Sequence, residues 1–243
     1  MVDYRVLPAG DTAIVVEFGE SIDRQVNAIV LALDECLGSE RHEGILETVP
    51  TFRSLMVYYD PAAISQAALA DHIAGHIRQI QVSDRPSRTW RLPVCYDTEM
   101  APDLSDVAAR AGLTTRQVIE RHSGLVYHIY MLGFLPGLAY MGDVPEELVV
   151  PRLRTPRLKI PAGSLCIAMA MSLIVPRETT SGLNVIGRSP VAMWQPDDGA
   201  LLKPGDKVIY QPISLREYHD MAVRLEAGNL KIEPVTEQSE IAA

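Results

Sequence analysis

The segment from Leu125 to Gly163 places the tightest limits on how this chain can fold. Four basic residues lie within eight positions near its end: Arg152, Arg154, Arg157 and Lys159. Prolines at positions 151, 156 and 161 interrupt this run. Each proline fixes its own φ and biases the preceding residue toward extended backbone, so we do not expect a helix here. In an extended segment alternate side chains share a face, which puts Arg152 and Arg154 on one side.

This basic cluster, residues 152–159, stands out because the chain as a whole is acidic, with a formal net charge of −9. A local surplus of cations in such a chain favours the binding of an anionic group. Arginine binds carboxylate or phosphate bidentately, and the prolines reduce the ordering entropy lost on binding. A solvated barrel edge, or a charged patch that faces an acidic partner, accounts for the same residues. The sequence alone leaves these interpretations open.

Composition narrows the class of protein. The chain has 243 residues, of which 47% are hydrophobic, and this predicts a globular protein of one large domain or two modest ones. The negative charge argues against nucleic acid as a partner. Three separated cysteines without a CxxC pair fit reduced thiols in a cytoplasm. The N-terminus lacks a signal pattern and no apolar run reaches about 18 residues, so we expect a cytoplasmic protein with no membrane association.

Residues 1–83 have the pattern of a small α+β domain. Three strands are predicted, at Thr12–Phe18, Gly44–Val49 and Ser54–Tyr59. Apolar residues recur at helical spacing between positions 22 and 37, and Ser65 is placed to cap a second helix. This order of elements predicts one sheet with helices on one face.

The polar stretch Ser83–Thr89 is the predicted boundary of a second domain, residues 90–228. A strand at Trp90–Val94 and two short helices, Leu104–Ala111 and Thr115–His122, open that domain; Gly112 is predicted to end the first helix and Thr114 to cap the second. Further strands are predicted at Leu165–Val175, Leu183–Gly187, Val191–Trp194 and Lys207–Ile213. Many short strands separated by Gly and Pro turns indicate a closed or nearly closed β-barrel. Residues 229–243 are polar without periodicity and are predicted to be a flexible tail.

Common catalytic signatures such as GxSxG, HExxH and the P-loop are absent from the sequence. No metal site is predicted, because His72 and His76 are expected to form a solvent-facing pair on the second helix. His122 lies near a helix C-terminus, where an imidazole can cap the helix or carry a proton. The glycines around Phe134 either form one wall of a pocket or make barrel corners. Arg188 adds one more cation in a turn.

Four segments carry a family resemblance: GFLPGLAYMG (133–142), PRLRTPRLKIPAGS (151–164), IGRSP (186–190) and LLKPGDKV (201–208). They resemble the allophanate hydrolase subunit 1 family. AGDTAIVVEFG (9–19), PTFRSLMVYYDP (50–61) and LPVCYD (92–97) are similar to it as well, so the match runs in one order up to about residue 213. The family includes one subunit of bacterial ATP-dependent 5-oxoprolinase, the Kip kinase inhibitors and part of the carboxyltransferase domain of urea amidolyase.

The resemblance implies an α+β N-terminal domain followed by a mainly-β, cyclophilin-like barrel. It also implies a subunit of a complex that couples ATP hydrolysis to the opening of 5-oxoproline to glutamate. The complex would contain a subunit 2 partner that shares the site, and possibly a third subunit; ATP would be a co-substrate beside a small anionic substrate. The positions that match the family are His122, for catalysis, and five residues for substrate or nucleotide: Arg152, Arg157, Lys159, Ser164 and Arg188.

Two other activities are compatible with the same resemblance. One is a Kip-type inhibitor that binds a histidine kinase, and the other is a component of a biotin-dependent urea carboxyltransferase. Residues 169–183 depart from the family, because side chains such as Met169 and Leu173 replace glycines. If those glycines let a ligand approach the backbone, the pocket here is partly filled. The substrate then differs, or catalysis is reduced.

Overall fold

Each side of residue 86 has its own hydrophobic core: one buried cluster lies in the first unit and two lie in the second. The computed structural model describes residues 3–40, 42–80 and 87–235, and its contacts divide the chain into the units Met1–Pro86 and Ser87–Ala243. The predicted boundary falls in part on residues 83–86, which lie outside the described residues. Each unit is described by itself below.

The first unit holds one antiparallel sheet and two helices among its described residues. The strands are β1 (Arg5–Pro8), β2 (Ala13–Glu17), β3 (Ile45–Pro50) and β4 (Ser54–Tyr59), in the order β1-β2-β4-β3. The helices are α1 (Arg24–Glu40) and α2 (Gln66–Ile77). Alternate residues of β2 and β4, such as Ile14 and Val57, share one buried cluster with Leu33 of α1 and Ile73 of α2. Both helices therefore cover the same face of the sheet, as a period of two in the strands requires.

Seven strands of the second unit close into a barrel between residues 87 and 235. They are β5 (Thr89–Cys95), β6 (Val126–Leu132), β7 (Ala139–Met141), β9 (Ser164–Ala168), β10 (Met171–Ile174), β12 (Asn184–Arg188) and β15 (Lys207–Ile213). Their order is β12-β9-β10-β7-β6-β15-β5, and a β12–β5 pairing closes the ring. The β15–β5 pair is parallel, with Lys207 opposite Thr89. The predicted fold class, an α+β domain followed by a mainly-β barrel, is confirmed.

The second unit also contains shorter strands and helices outside the seven-stranded barrel. The strands are β8 (Arg157–Ile160) paired with β11 (Thr179–Ser181), β13 (Trp194–Gln195) paired with β14 (Gly199–Ala200), and β16 (Pro234–Val235) paired with β5. The helices are α3 (Leu104–Ala111), α4 (Thr115–Ser123), α5 (Leu215–Glu226) and a 3₁₀ turn at Glu146–Leu148. Gly112 ends α3 in the left-handed conformation, and Thr114 caps α4 with a reciprocal bond to Gln117, as the sequence predicts.

Three sequence-based expectations differ from the structure. Leu165–Val175 is a hairpin of β9 and β10 rather than one strand, because the chain turns at Met169, which adopts a φ of 53°. In Val191–Trp194 only Trp194 lies in a strand, and α5 has no counterpart among the predicted elements. Within the predicted tail, Pro234 pairs with Trp90 on β5, so residues 234–235 are held by the sheet; residues 236–243 lie outside the described part. None of the described helices combines the length and apolar character needed to cross a membrane.

Candidate functional site

A groove of about 170 Å³ lies along β11 in the second unit. Three parts of the chain form it: the β6–β7 loop with the start of β7, the basic cluster, and the segment from β10 to the start of β12. Its lining residues are Phe134, Leu135, Leu138, Tyr140, Arg152, Leu173, Val175, Thr179, Thr180, Ser181 and Leu183. The Gly-punctuated loop near Phe134 is thus a pocket wall. The segment that departs from the family lines the opposite side.

Arg152 is the cation of this groove. Its side chain is exposed, and no carboxylate of the described residues lies within ion-pair distance of it. The backbone beside it is fixed, because Leu153 donates to the carbonyl of Gly182 at 2.7 Å. A Cβ at Gly182 would lie 3.5 Å from Arg152 Nε, so the guanidinium runs close over that glycine. The groove therefore presents a positive charge that has no partner in the described chain.

The rest of the groove is mainly apolar, with hydroxyl groups at one side. Leu138, Leu173 and Val175 are buried in a small core beneath it. Burial raises the pKa of the Tyr140 hydroxyl, and the charge of Arg152 partly offsets that rise. Phe134 is 78% exposed and has a φ of 69°, which is strained for a residue with a side chain. An apolar surface beside one arginine suits a small molecule that joins an apolar body to a carboxylate.

Arg157 does not line this groove and instead binds a carboxylate of its own chain. Its two terminal nitrogens donate to the two carboxylate oxygens of Asp103, at 2.7 and 2.5 Å. Asp103 is 3% exposed and also accepts from the backbone N–H of Val185 at 2.7 Å. Hydrogen bonding to Asp103 raises the pKa of Arg157 further above its usual value. The guanidinium fork is therefore occupied, and the geometry favours a structural role over the predicted ligand contact.

The other predicted binding residues lie outside the groove. Lys159 forms an exposed ion pair with Glu178 at 2.7 Å. Ser164 is 1% exposed and donates to the carbonyl of Pro161, which makes it a turn residue. Arg188 donates through Nε to the carbonyl of Ala162 at 3.0 Å. Of the five predicted binding residues, Arg152 alone lines the groove, within the described part of the chain.

His122 lies in the interior of the barrel. It is 0% exposed, its Nδ1 lies 3.1 Å from the Tyr96 hydroxyl, and its Nε2 lies 3.1 Å from the Ser172 hydroxyl. Its ring stacks on Tyr210, whose hydroxyl lies 2.9 Å from that of Ser172. Burial lowers the pKa of His122 to about 3. The expectation that this imidazole titrates near neutrality is therefore not met, and the contacts are those of a neutral core residue.

The sequence does not predict the carboxylates that form ion pairs with the predicted cations. Asp103 and Glu178 lie 54 and 19 positions from the arginine and lysine that they bind. Asp103 precedes a helix, where an aspartate is expected as an N-cap, yet its side chain makes no capping bond. Nothing in the local sequence distinguishes this aspartate from an ordinary cap.

A second depression, of about 670 Å³, lies between α5 and the β13–β14 hairpin. Its lining includes the carboxylates of Asp198 and Glu226 and the ammonium of Lys231. None of the predicted cations borders it. Although it is larger, its excess of carboxylates does not suit an anionic substrate, so the groove at Arg152 is the better candidate.

Comparisons with known proteins show relatives of this chain along most of its length. The family model described as carboxyltransferase domain, subdomain C and D, matches residues 4–201. The B subunit of 5-oxoprolinase from Bacillus subtilis (strain 168) is 35% identical over 234 residues, which cover 90% of this chain and 96% of that protein. The crystal structure of TTHA0988 superposes with a TM-score of 0.74 at 32% identity. That match covers 83% of this chain but 40% of the other, so this chain spans about two-fifths of its length.

A further solved structure shares the fold alone. The urea carboxylase of Kluyveromyces lactis has a TM-score of 0.79 at 20% identity, over 96% of this chain and 24% of the other. At that level of identity the match supports a common architecture. It carries no statement about the reaction.

Proposed function

Because the chain belongs to the carboxyltransferase-domain family, subdomains C and D, we propose that it is the B-type subunit of an ATP-dependent 5-oxoprolinase complex. The observation that carries this proposal is the 35% identity to the B subunit of a 5-oxoprolinase along 96% of that protein's length. The match extends along nearly the full length of that subunit. We place the complex in the cytoplasm, with a subunit 2 partner and a third subunit.

In this reaction water opens the lactam ring of 5-oxoproline to glutamate, while ATP is hydrolysed to ADP and phosphate. The groove fits a molecule of this kind in two respects. Arg152 offers an unpaired guanidinium to the substrate carboxylate, and Leu138 and Leu173 offer an apolar surface to the ring methylenes. Thr179 and Thr180 also line this groove. We assign substrate binding to this site and leave His122 out of the chemistry.

The lining of the groove supports a site that is shared with a partner subunit. Among its described lining residues there is no carboxylate, imidazole or thiol. Ring opening needs proton transfer, which side chains with a pKa near the working pH perform best. A cavity of about 170 Å³ is also smaller than most complete ligand sites. We therefore assign ATP binding and the general acid or base to the partner subunits.

The test is reconstitution of the chain with a subunit 2 and a third subunit. ATP and 5-oxoproline are added, and glutamate and phosphate are measured in every combination of subunits. The proposal expects glutamate and phosphate in equal amounts from the complete set, and loss of both when this chain is left out. No glutamate from any combination would overturn the proposal.

Arg152 provides a matched pair of variants for the same assay. Loss of a charged hydrogen bond of about 1.5–3 kcal/mol corresponds to about a 10- to 150-fold weaker interaction. Arg152→Gln should therefore raise the KM for 5-oxoproline by at least about 10-fold. Arg154→Gln removes the same charge two residues away, outside the groove, and should leave KM unchanged. Equal effects of the two variants would mean that KM depends on the overall positive charge of the basic cluster rather than on a contact in the groove.

The two alternative activities give different results in the same experiment. A biotin-dependent carboxyltransferase would require a biotin carrier for turnover and would release no glutamate from 5-oxoproline. A Kip-type inhibitor would bind a histidine kinase and block its autophosphorylation without any subunit 2. Either result, in the absence of glutamate release, would replace the proposed activity.

A further inference from the structure

Three potential metal ligands meet in the first unit, far in sequence from the groove. His72 and His76 lie one turn apart on α2, and Glu40 is the last residue of α1. One ligand atom from each of these side chains lies within 4.8 Å of the other two. The sequence-based expectation of a solvent-facing histidine pair is not met, because the two imidazole side chains are 25% and 17% exposed.

The distances between these atoms match the ligand edges of a small divalent cation. Nε2 of His76 lies 3.3 Å from Nε2 of His72 and 3.1 Å from Oε2 of Glu40. Nε2 of His72 lies 3.8 Å from the same oxygen. A circle through three points with these separations has a radius of about 2.0 Å, and zinc–nitrogen and zinc–oxygen bonds measure about 2.0–2.2 Å. An ion just above the plane of the three atoms is therefore within bonding distance of all of them.

A third histidine lies beside this cluster. The ring of His42 lies 4.4 Å from that of His72. The Nδ1 atom of His42 is buried and has no hydrogen-bond partner among the described residues. Such an unsatisfied nitrogen is rare in folded proteins.

We propose that Glu40, His72 and His76 bind one divalent transition-metal ion of the zinc type. Two histidines and a carboxylate with one further position form a common zinc donor set. Zinc and cobalt suit this nitrogen-rich set better than magnesium or calcium, which prefer oxygen. The ion would join the C-terminal end of α1 to α2 and so stabilise the first unit. This site is independent of the proposed 5-oxoprolinase activity.

A hydrogen-bonded network without metal is the competing explanation. One imidazole can donate a hydrogen bond to the other, and His76 can donate to Glu40. That arrangement predicts no saturable metal binding.

The experiment titrates the full chain, freed of metal by a chelator, with Co²⁺ and with Zn²⁺. Co²⁺ is followed by the visible absorption of a tetrahedral site, and Zn²⁺ by calorimetry. One ion per chain should bind, and saturating Zn²⁺ should raise the melting temperature, because a ligand that binds only the folded state stabilises it. Substituting a residue that only hydrogen-bonds to a metal ligand costs about 10- to 100-fold in metal affinity. Removing a ligand itself, as in His76→Gln, should therefore weaken metal binding by at least about 100-fold.

Two further variants keep the test decisive. Glu40→Gln changes a half-exposed side chain and should fold normally, yet it removes one ligand and should also weaken binding. His219→Gln removes an exposed histidine of α5 and should bind both ions like the unmodified chain. Melting curves in chelator confirm that each variant is folded before its titration. Absence of saturable binding, or equal binding by the His76→Gln and His219→Gln chains, would overturn the proposal.

Discussion

The bidentate pair of Arg157 and Asp103 leads to a prediction about stability that separates a structural arginine from a ligand-binding one. The change is Arg157→Met, which keeps most of the length of the side chain but removes its charge and its donors. The carboxylate of Asp103 then keeps only the hydrogen bond from the backbone N–H of Val185, at 2.7 Å. Asp103 is 3% exposed. A carboxylate left in that state has lost most of its solvation and its partner.

The expected size follows from the burial of the two partners. Breaking a buried ion pair by removing one member costs about 3–5 kcal/mol, whereas exposed pairs contribute about 0–1 kcal/mol. The Asp103 side chain is 4% exposed but that of Arg157 is 36% exposed, so water weakens the pair from one side. We therefore expect the variant to lose about 2–3 kcal/mol of unfolding free energy, between those limits. For a unit of this size, that lowers the melting temperature by about 4–12 °C.

Tryptophan fluorescence suits this measurement, because both tryptophans of the chain, Trp90 and Trp194, belong to the second unit. Lys159→Met is the matched control; it removes the nearby exposed pair with Glu178 and should change stability by less than about 0.5 kcal/mol. Asp103→Asn, alone and with Arg157→Met, completes a double-mutant cycle and should give a coupling energy above about 1 kcal/mol. Equal melting temperatures for Arg157→Met and Lys159→Met would refute the argument.

Two other predictions concern the core histidine and a strained turn. His122 has a folded-state pKa of about 3 against an ordinary value of 6.5, so its contribution to stability is complete above about pH 6.5 and is lost as the pH falls toward 3. The unfolding free energy of His122→Gln, measured in urea between pH 7 and 4, should depend less steeply on pH than that of the unmodified chain, by up to about 1.4 kcal/mol per pH unit. An unchanged slope would mean that the imidazole is not buried and neutral. Met169 has a φ of 53° and is 58% exposed, so Met169→Gly should raise the unfolding free energy by about 1 kcal/mol, whereas Met171→Gly, in the adjoining strand, should lower it. A loss of stability in Met169→Gly would show that its side-chain contacts outweigh the backbone strain.

The sequence supports the positions of many elements because their signals are local. The α3 and α4 helices begin and end where Gly112 and Thr114 predict, since a left-handed C-cap and a capping box act within a few residues. The β2 and β4 strands follow from their alternating apolar residues in the same way. The α5 helix is not predicted although Ser214 and Glu217 form a capping box, because most of its residues are polar and none is fully buried.

The basic cluster illustrates the limit of such reasoning at the candidate site. The prolines predict its extended backbone, and β8 from Arg157 to Ile160 agrees with that expectation. The partners of the cations could not be predicted, because they come from the N-terminal end of α3 and from the turn before β11 through contacts between distant positions. In the sequence, Arg152, Arg157 and Lys159 are all candidate cations for binding an anion. Their roles differ only because a carboxylate reaches the last two.

The sequence by itself determined the two-unit arrangement of strand and helix patterns, the cap positions and the proline-stiffened basic run, all of which depend on interactions between near neighbours. The tertiary structure decided that Arg152, in the groove, has no carboxylate partner in the described chain. It also decided that His122 is buried and neutral, and that Glu40 lies beside His72 and His76. Those properties depend on the distance and burial that barrel closure and helix packing impose. Ion pairing and desolvation act through space, so residues 54 positions apart, such as Asp103 and Arg157, set each other's chemistry.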